Sequence, residues 1–383
     1  MAEPTRRARK LLMGYGFASS FAGNLVAPFF GLFLFELTHG SFLQTGLIGQ
    51  VPGAISVLMG YLWARFSDRS GRRKLFVQIS IATSGAASLA LSFVESAEQA
   101  FAVQVAGALT GSAGGAAFSA LVAEVFKERR GEALGRYSAA TVLGGFLGSL
   151  ASGALYTQVG FRNALRVSAA LNLVPLILIT LLPETNSGKP ESGGKLLPRI
   201  PPSFWRLFTA RLLMSLPGAL SGPVFTIYYI RYLGGSPESW AALSAVTTLF
   251  GLASIPYGRM ADRLPVNRMF ALAGLGWLAL YTGYYLSPSP YIFAVFFVLP
   301  VWPAFWIAYS KALMDVSDQT ERAALFAFES ILSSIYGAAL AALSGYLADL
   351  FGPRQLFLLS AASAGLAAAA VQPLVKGFGA AEG

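Results

Sequence analysis

Residues 67–74 of this chain are Ser-Asp-Arg-Ser-Gly-Arg-Arg-Lys, a charged and turn-forming stretch between two long apolar runs. A weaker copy, Ala-Asp-Arg-Leu-Pro-Val-Asn-Arg, occupies residues 261–268 between another such pair of runs. Asp68 and Asp262 hold the same place in the two copies, 194 residues apart. A loop that recurs between membrane-length runs predicts a chain built from two copies of one unit.

The composition indicates an integral membrane protein. Hydrophobic residues make up 55% of the 383 positions, charged residues make up 12%, and the mean hydropathy is +0.59. So few charges cannot cover a soluble globule of this size. Because the chain has no cysteine and one histidine, His39, we expect no disulfide, no metal site, no cofactor and no enzyme activity.

Twelve apolar segments are long enough to cross a hydrocarbon layer of about 30 Å, which needs about 20 helical residues. The first half contains predicted spans at 11–35, 44–64, 75–94, 99–123, 132–156 and 164–183. The second half contains predicted spans at 204–230, 240–261, 269–287, 290–314, 323–350 and 355–376. The predicted fold class is therefore an all-α integral membrane protein with twelve transmembrane helices.

The basic residues orient these spans. With the N-terminus in the cytoplasm, all but four of the 28 Lys and Arg residues fall on the cytoplasmic side. The four on the other side are Arg162, Arg166, Arg231 and Arg354. Basic residues near span ends resist translocation, so we expect a multi-pass cell-membrane protein with both termini cytoplasmic. The net charge of +10 follows this topology and predicts no nucleic-acid partner. The first apolar run is too long for a signal-peptide core, so we predict no cleavable signal.

A polar segment rich in glycine and proline at 184–203 divides the spans six and six. It predicts an N-terminal six-helix bundle at 1–183, a cytoplasmic linker at 184–203 and a C-terminal six-helix bundle at 204–383. Four positions of the first half also align with four positions of the second half at a constant offset of 192 residues. The matched residues are Gly153, Gly160, Arg162 and Leu165 with Gly345, Gly352, Arg354 and Phe357.

The charged loop resembles the pattern Gly-x-x-x-Asp-Arg-x-Gly-Arg-Arg/Lys of the major facilitator superfamily, between spans two and three. Its positions are held here by Ala64, Asp68, Arg69, Gly71, Arg72 and Arg73. In the second copy Gly258, Asp262 and Arg263 fit the pattern, and Pro265 replaces the later glycine. The resemblance implies two six-helix bundles and a cytoplasmic latch at each loop that opens and closes during transport. The alternative is a basic anchor at the membrane surface.

Two further spans bear on coupling. Gly135, Gly144, Gly148 and Gly153 resemble the antiporter pattern of the family's fifth span, from which Ser149 and Ser152 depart. The pattern favours export, although close helix packing also requires small residues. In the fourth span Gly107 stands where many proton-coupled exporters of the family have arginine, which weighs against proton antiport.

The resemblance implies a central cavity lined mainly by the first, fourth, seventh and tenth spans. In the tenth, Trp302, Trp306 and Tyr309 lie on one helical face. In the first, Asn24 precedes Pro28, which disturbs the helix. The remaining substrate-binding candidates are Gln50, Gln104, Tyr228 and Tyr336. Helix packing is the alternative for the aromatic stripe, and an interhelical hydrogen bond is the alternative for Asn24.

Few charges lie inside the spans, and each of them is costly to place there. Arg211, Lys311 and Glu329 lie about two turns or less from a cytoplasmic end. We expect Lys311 and Glu329 to form an inner-gate ion pair and Glu329 to be the proton-coupling residue. Snorkelling of these side chains to the headgroups is the alternative.

These features together predict a monomeric secondary transporter that works by alternating access and exports small, largely hydrophobic molecules. Its expected partners are a small-molecule substrate, membrane lipids and a coupling proton. The alternatives are a metabolite uptake symporter or facilitator and a lipid flippase. An acid–base pair or metal cluster, which a membrane enzyme needs, is not evident in the sequence.

Overall fold

A computed structural model describes residues 3–126, 130–182, 199–318 and 321–378, and most of the predicted linker lies outside these ranges. In the first part of the chain the helices are α1 Glu3–Asn24, α2 Ala27–Leu37, α3 Phe42–Ser70, α4 Arg73–Leu91, α5 Ala97–Gly111, α6 Gly114–Val125, α7 Arg130–Val159, α8 Phe161–Leu171 and α9 Leu173–Thr180. The later helices are α10 Pro202–Ser221, α11 Phe225–Ile227, α12 Pro237–Thr248, α13 Phe250–Arg263, α14 Val266–Leu286, α15 Pro290–Phe297, α16 Trp302–Asp315, α17 Arg322–Phe351, α18 Pro353–Ala370 and α19 Gln372–Val375.

The helices match the predicted spans closely. Within the described ranges, ten helical segments are long and apolar enough to cross a membrane, and the bent pair α12 and α13 gives an eleventh. The last predicted span, 355–376, corresponds to α18, which is outside those ten. The prediction of an all-α membrane protein is thus confirmed, and the helix order is consistent with twelve spans.

Several predicted spans contain two helices because glycine, proline or asparagine interrupts the hydrogen-bond ladder. The first span breaks after Asn24, and α2 restarts with Pro28 in its first turn. The fourth span breaks between Gly111 and Gly114, where α5 ends and α6 begins. Proline lacks an N–H and suits the first helical turn, where that donor has no intrahelical partner.

Close packing explains two glycines of the fifth span. Helices α1 and α7 cross where Gly144 and Gly148 face the carbonyl oxygens of Phe17 and Phe21. A Cβ atom at either glycine would collide with that backbone. Small residues are required here for the helices to approach, so the packing explanation accounts for this part of the antiporter-like pattern.

Contacts group the chain into two compact units. One comprises Met1–Gly40, Val51–Gly193 and Ser236–Thr248, and the other comprises Ser41–Gln50, Gly194–Gly235 and Leu249–Gly383. Each unit therefore includes one short segment from the opposite half of the sequence. The predicted division at the linker remains a prediction.

Within the second of these units, the start of α3 is bound by the end of α17. The Asp349 carboxylate accepts hydrogen bonds from the backbone N–H groups of Phe42 at 2.7 Å and Leu43 at 3.0 Å. It also accepts a hydrogen bond from the Ser41 hydroxyl at 3.2 Å. The first N–H groups of a helix lack partners within it and carry partial positive charge, so a carboxylate stabilises this end. By the predicted topology, this contact lies on the extracellular side.

Within the first unit, α12 makes similar contacts with α2 and α7. The Trp240 indole donates to the Pro28 carbonyl oxygen at 2.9 Å. Gly153 of α7 lies against Pro237, Glu238 and Ala241, and leaves no room there for a larger side chain. The repeated glycines Gly153 and Gly345 thus both lie at close helix contacts near predicted extracellular ends.

Candidate substrate cavity

A cavity of about 350 Å³ lies in the second unit, between α10, α14, α16 and α17. Its walls are largely aromatic, and the aromatic lining residues are Trp277, Tyr281, Trp302, Phe305, Trp306 and Tyr336. Small residues, among them Gly218 and Gly337, leave space between the rings. Arg211 contributes a charge to the lining. Aromatic walls with a few placed polar groups are typical of small-molecule sites.

The tenth predicted span supplies one wall through α16. This helix begins at Trp302 with Pro303 in its first turn, so Trp302 and Trp306 lie one turn apart on the same face. Both indoles are partly exposed, at 43% and 37%. Tyr309 is buried behind them and stacks on Phe305, with ring centroids 5.8 Å apart. The predicted aromatic face exists, and its first two members line the cavity.

An ion pair lies next to this wall. Arg211 Nε is 2.5 Å from Glu329 Oε1, and the two side chains are only 12% and 10% exposed. The Ser333 hydroxyl donates to the same carboxylate oxygen at 2.7 Å. The Arg211 guanidinium carbon also lies 5.0 Å from the ring centre of Trp306 and 5.6 Å from that of Tyr309. An ion pair and two aromatic faces therefore hold this arginine in place.

The expected pair between Lys311 and Glu329 does not form, and this prediction is wrong. The Lys311 ammonium lies 3.5 Å from Asp262 Oδ1 and donates to the Ala261 carbonyl oxygen at 2.8 Å. Ala261 is in the last turn of α13, where carbonyl groups lack helical partners and attract a cation. Lys311 therefore contacts the second latch loop, at Asp262 and Ala261, and Glu329 pairs with Arg211.

The two latch loops differ in geometry. At the first, Gly71 has φ +66°, the left-handed conformation that glycine adopts without strain, and this allows α3 to end and α4 to begin at once. Arg73 lies 3.6 Å from Asp68, Arg69 is in the last turn of α3, and Arg72 is the N-cap of α4.

At the second loop, α13 ends at Arg263 and Pro265 precedes α14 in extended backbone. Proline therefore replaces the glycine turn with a different connection, and Asp262 pairs with a lysine from α16 instead of an arginine from the next helix. The latch function of both loops remains a prediction.

Five of the eight predicted substrate residues do not line this cavity, and Tyr309, buried behind Trp302 and Trp306, is one of them. Asn24 donates to the Ser20 carbonyl oxygen at 2.9 Å and accepts the Ser149 hydroxyl at 3.3 Å, so it joins α1 to α7. Tyr228 is buried in an aromatic cluster with Phe357, at 5.0 Å between ring centres. Gln50 is exposed and Gln104 is half-buried. Trp302, Trp306 and Tyr336 are the predicted residues that the cavity brings together.

The sequence interpretation missed Arg211 as the partner of Glu329, although a signal was present. Arg211 lies nine residues after the first residue of α10, and Glu329 lies seven residues after the first residue of α17. Both helices start at the predicted cytoplasmic side, so these charges have similar depth. Pairing by depth on all spans, instead of on consecutive spans, would have included this pair.

Comparison with known proteins extends these observations. A family model described as Major Facilitator Superfamily matches residues 12–230 and 207–376. The multidrug resistance protein MdtG of Citrobacter koseri is 27% identical over 277 residues, which cover 67% of each chain. MdtG of Escherichia fergusonii is 26% identical over 280 residues, which cover 67% of this chain and 66% of that protein.

Solved transporters share the fold. A bacterial homologue of the human lysosomal transporter Spinster, in an inward-facing and unoccupied conformation, gives a TM-score of 0.75 at 15% identity, covering 99% of this chain and 98% of that one. The nucleoside transporter NupG gives 0.75 at 14% identity, covering 98% and 100%. The family match extends over most of the sequence and both latch loops. The chain therefore belongs to the Major Facilitator Superfamily of membrane transporters, whose members are not enzymes, and resembles its drug-efflux branch.

Proposed function

We propose that this protein is a secondary transporter that exports small, largely hydrophobic molecules across the cell membrane by alternating access. The aromatic cavity beside the Arg211–Glu329 pair is the observation on which this proposal depends. A volume of about 350 Å³ lies within the usual range for small-molecule sites, roughly 300–1,000 Å³. Trp302, Trp306 and Tyr336 are its proposed substrate contacts, and Tyr309 supports them from behind.

The relatives support export. The two MdtG proteins are named for multidrug resistance, and their similarity extends over about two thirds of this chain. We extend that role to this protein as a working function. The protein is proposed to act as a monomer surrounded by membrane lipids, with both termini in the cytoplasm and Glu329 as the residue that carries a coupling proton.

Alternating access requires contacts that form on one side of the membrane and break when that side opens. The contact between Asp349 of α17 and the start of α3 is proposed as one of these, because its hydrogen bonds join helices from the two halves of the sequence. The latches at Asp68 and Asp262 are the proposed counterparts on the cytoplasmic side.

Proton-coupled uptake of a metabolite is the second candidate function. The Arg211–Glu329 pair favours it, because a buried carboxylate next to a cavity can take up a proton together with a substrate. Export and uptake by this protein would use the same cavity. They differ in the direction of net movement.

A transport assay distinguishes the candidates. Cells that express the protein are loaded with slowly permeating aromatic dyes, including anionic fluorescein and cationic ethidium, and purified protein is reconstituted into liposomes with the same dyes. We expect saturable movement of at least one dye into the liposomes and lower accumulation in the expressing cells. Higher accumulation would indicate uptake. The proposal is wrong if the liposomes move no dye but scramble a fluorescent phospholipid, the result expected of a flippase.

A further inference from the structure

The Arg211–Glu329 pair is chemically asymmetric. The guanidinium of arginine keeps its proton in proteins, whereas a carboxylate can be neutralised by taking one up. A buried pair is costly to open when one charge remains uncompensated. The pair therefore opens at lowest cost when Glu329 is protonated and another anion takes its place at Arg211.

A cationic substrate does not meet this condition. If a cation displaced Arg211 from Glu329, the cavity would hold two positive charges and one carboxylate. Two of the rings that could attract a cation, Trp306 and Tyr309, already have the Arg211 guanidinium over them, at 5.0 and 5.6 Å from their centres. The protein's own cation thus occupies the cation–π positions of these two rings.

The neighbouring helices bring no other charged side chain to Glu329 within the described ranges. From α16, Lys311 is bound to Asp262, and Tyr309 is a buried residue that packs against Phe305. On α17 itself, Ser333 donates to Glu329, and the Tyr336 hydroxyl donates to the Leu212 carbonyl oxygen. The charged residue of α18, Arg354, lies at the other end of that helix against Tyr285. Charge balance in the cavity therefore depends on Arg211, Glu329 and the ligand.

We propose that Arg211 is an anion receptor that Glu329 covers until it is protonated, and that the substrates are amphiphilic organic anions. Such a ligand has one carboxylate, sulfonate or phosphonate group for the guanidinium and an aromatic or aliphatic body for the walls formed by Trp302, Trp306 and Trp277. The proposal rests on the cavity being the substrate site, as the proposed function states. Each of these anionic groups suits arginine because the guanidinium N–H groups can bind two of its oxygens at once.

The direction of coupling follows from the shared partner. The substrate anion and the Glu329 carboxylate compete for Arg211, so the proton and the anion bind together and each raises the affinity of the other. A cycle of this kind moves them in the same direction as an electroneutral cargo. Export would then be driven by the gradient of the cargo, and uptake would be driven by the proton gradient.

The test is equilibrium binding of naphthalenesulfonate to the purified full-length protein at about pH 5 and about pH 8. A sulfonate stays ionised at both values, so any change reports the protein. The matched probes are the uncharged naphthalenesulfonamide and the cationic naphthylmethylammonium. We expect sulfonate affinity to be more than about 10-fold higher at the lower pH and sulfonamide affinity to be nearly unchanged, because one proton is linked to anion binding.

Two variants make the test specific. Glu329→Gln imitates the protonated state and should bind the sulfonate with high affinity at both pH values. The double variant Arg211→Gln/Glu329→Gln leaves no buried charge unpaired, so it should fold, bind the sulfonamide and lose its preference for the sulfonate. Equal sulfonate affinity at both pH values in the wild type, or tighter binding of the ammonium probe, would overturn the proposal. Dye transport in liposomes tests the proposed function separately, so the two failures can be told apart.

Discussion

Replacing Arg211 by methionine is expected to lower the free energy of unfolding by about 3–5 kcal/mol. The substitution leaves Glu329, which is 10% exposed, without its 2.5 Å partner in an aromatic environment. Removing one member of a buried ion pair costs more than the pair itself contributes, because the remaining charge is uncompensated. Chemical unfolding of purified protein in mixed micelles, with wild type in parallel, measures the change.

Two matched variants identify the cause. Arg211→Met/Glu329→Leu removes both charges and should recover most of the lost stability. Lys311→Met breaks the pair with Asp262, in which both side chains are well exposed, and should cost less than about 1 kcal/mol. If the double variant were as unstable as Arg211→Met, the loss would come from packing instead of from the unpaired carboxylate.

Gly337→Phe is expected to weaken binding of cavity ligands by more than about 10-fold, which corresponds to more than about 1.4 kcal/mol of binding free energy. The added ring would take the place of the ligand against an aromatic wall residue, and the loss of one such contact can cost that much. Gly337 lines the cavity, and a Cβ atom there meets nothing within 4 Å. The ring can therefore enter the space between the walls without a backbone clash. Binding of naphthalenesulfonamide, which does not depend on the charge of Arg211, measures the effect.

Gly251→Phe is the control for this substitution. Gly251 lies in α13 outside the cavity lining, and a Cβ atom there also meets nothing within 4 Å. Both variants add one ring to an open glycine position of the same unit, and only Gly337→Phe should lose the ligand. Unchanged affinity in Gly337→Phe would place the binding site elsewhere.

The membrane architecture could be predicted because it depends on local properties of the sequence. Hydrocarbon thickness sets the length of each apolar run, and basic residues mark the cytoplasmic ends. The turn at Gly71 was predictable for the same reason, since a single residue determines it. Helix breaks such as the one between Gly111 and Gly114 were not predicted, because hydropathy continues across them.

The cavity was only partly predictable. The face shared by Trp302 and Trp306 follows from helical spacing and needs no knowledge of other helices. The partner of Glu329 depends on which helices are neighbours in space, and adjacency along the chain favoured Lys311 wrongly. The nearest cation comes from α10, more than a hundred positions earlier in the sequence. The contact of Asp349 with the start of α3 could not be predicted from the sequence for the same reason.

A reversible cross-link across the contact of α3 and α17 tests alternating access most directly. The hydroxyl of Ser41, which directly precedes α3, lies 3.2 Å from a carboxylate oxygen of Asp349 in α17. Because the natural chain contains no cysteine, Ser41→Cys/Asp349→Cys carries the two engineered thiols alone, and a short bifunctional methanethiosulfonate joins them through reducible bonds. The control pair Ala87→Cys/Gly107→Cys joins α4 to α5, where Cβ of Ala87 lies 3.5 Å from a Cβ atom built at Gly107.

The measurement is dye transport by each pair in liposomes, before cross-linking, after cross-linking and after renewed reduction. Alternating access predicts that cross-linking of the Ser41–Asp349 pair lowers the rate by more than about 10-fold, that reduction restores it, and that the Ala87–Gly107 pair transports at the same rate in both states. A cross-linked Ser41–Asp349 protein that transports as fast as its form without the cross-link would contradict a cycle in which α3 and α17 must separate.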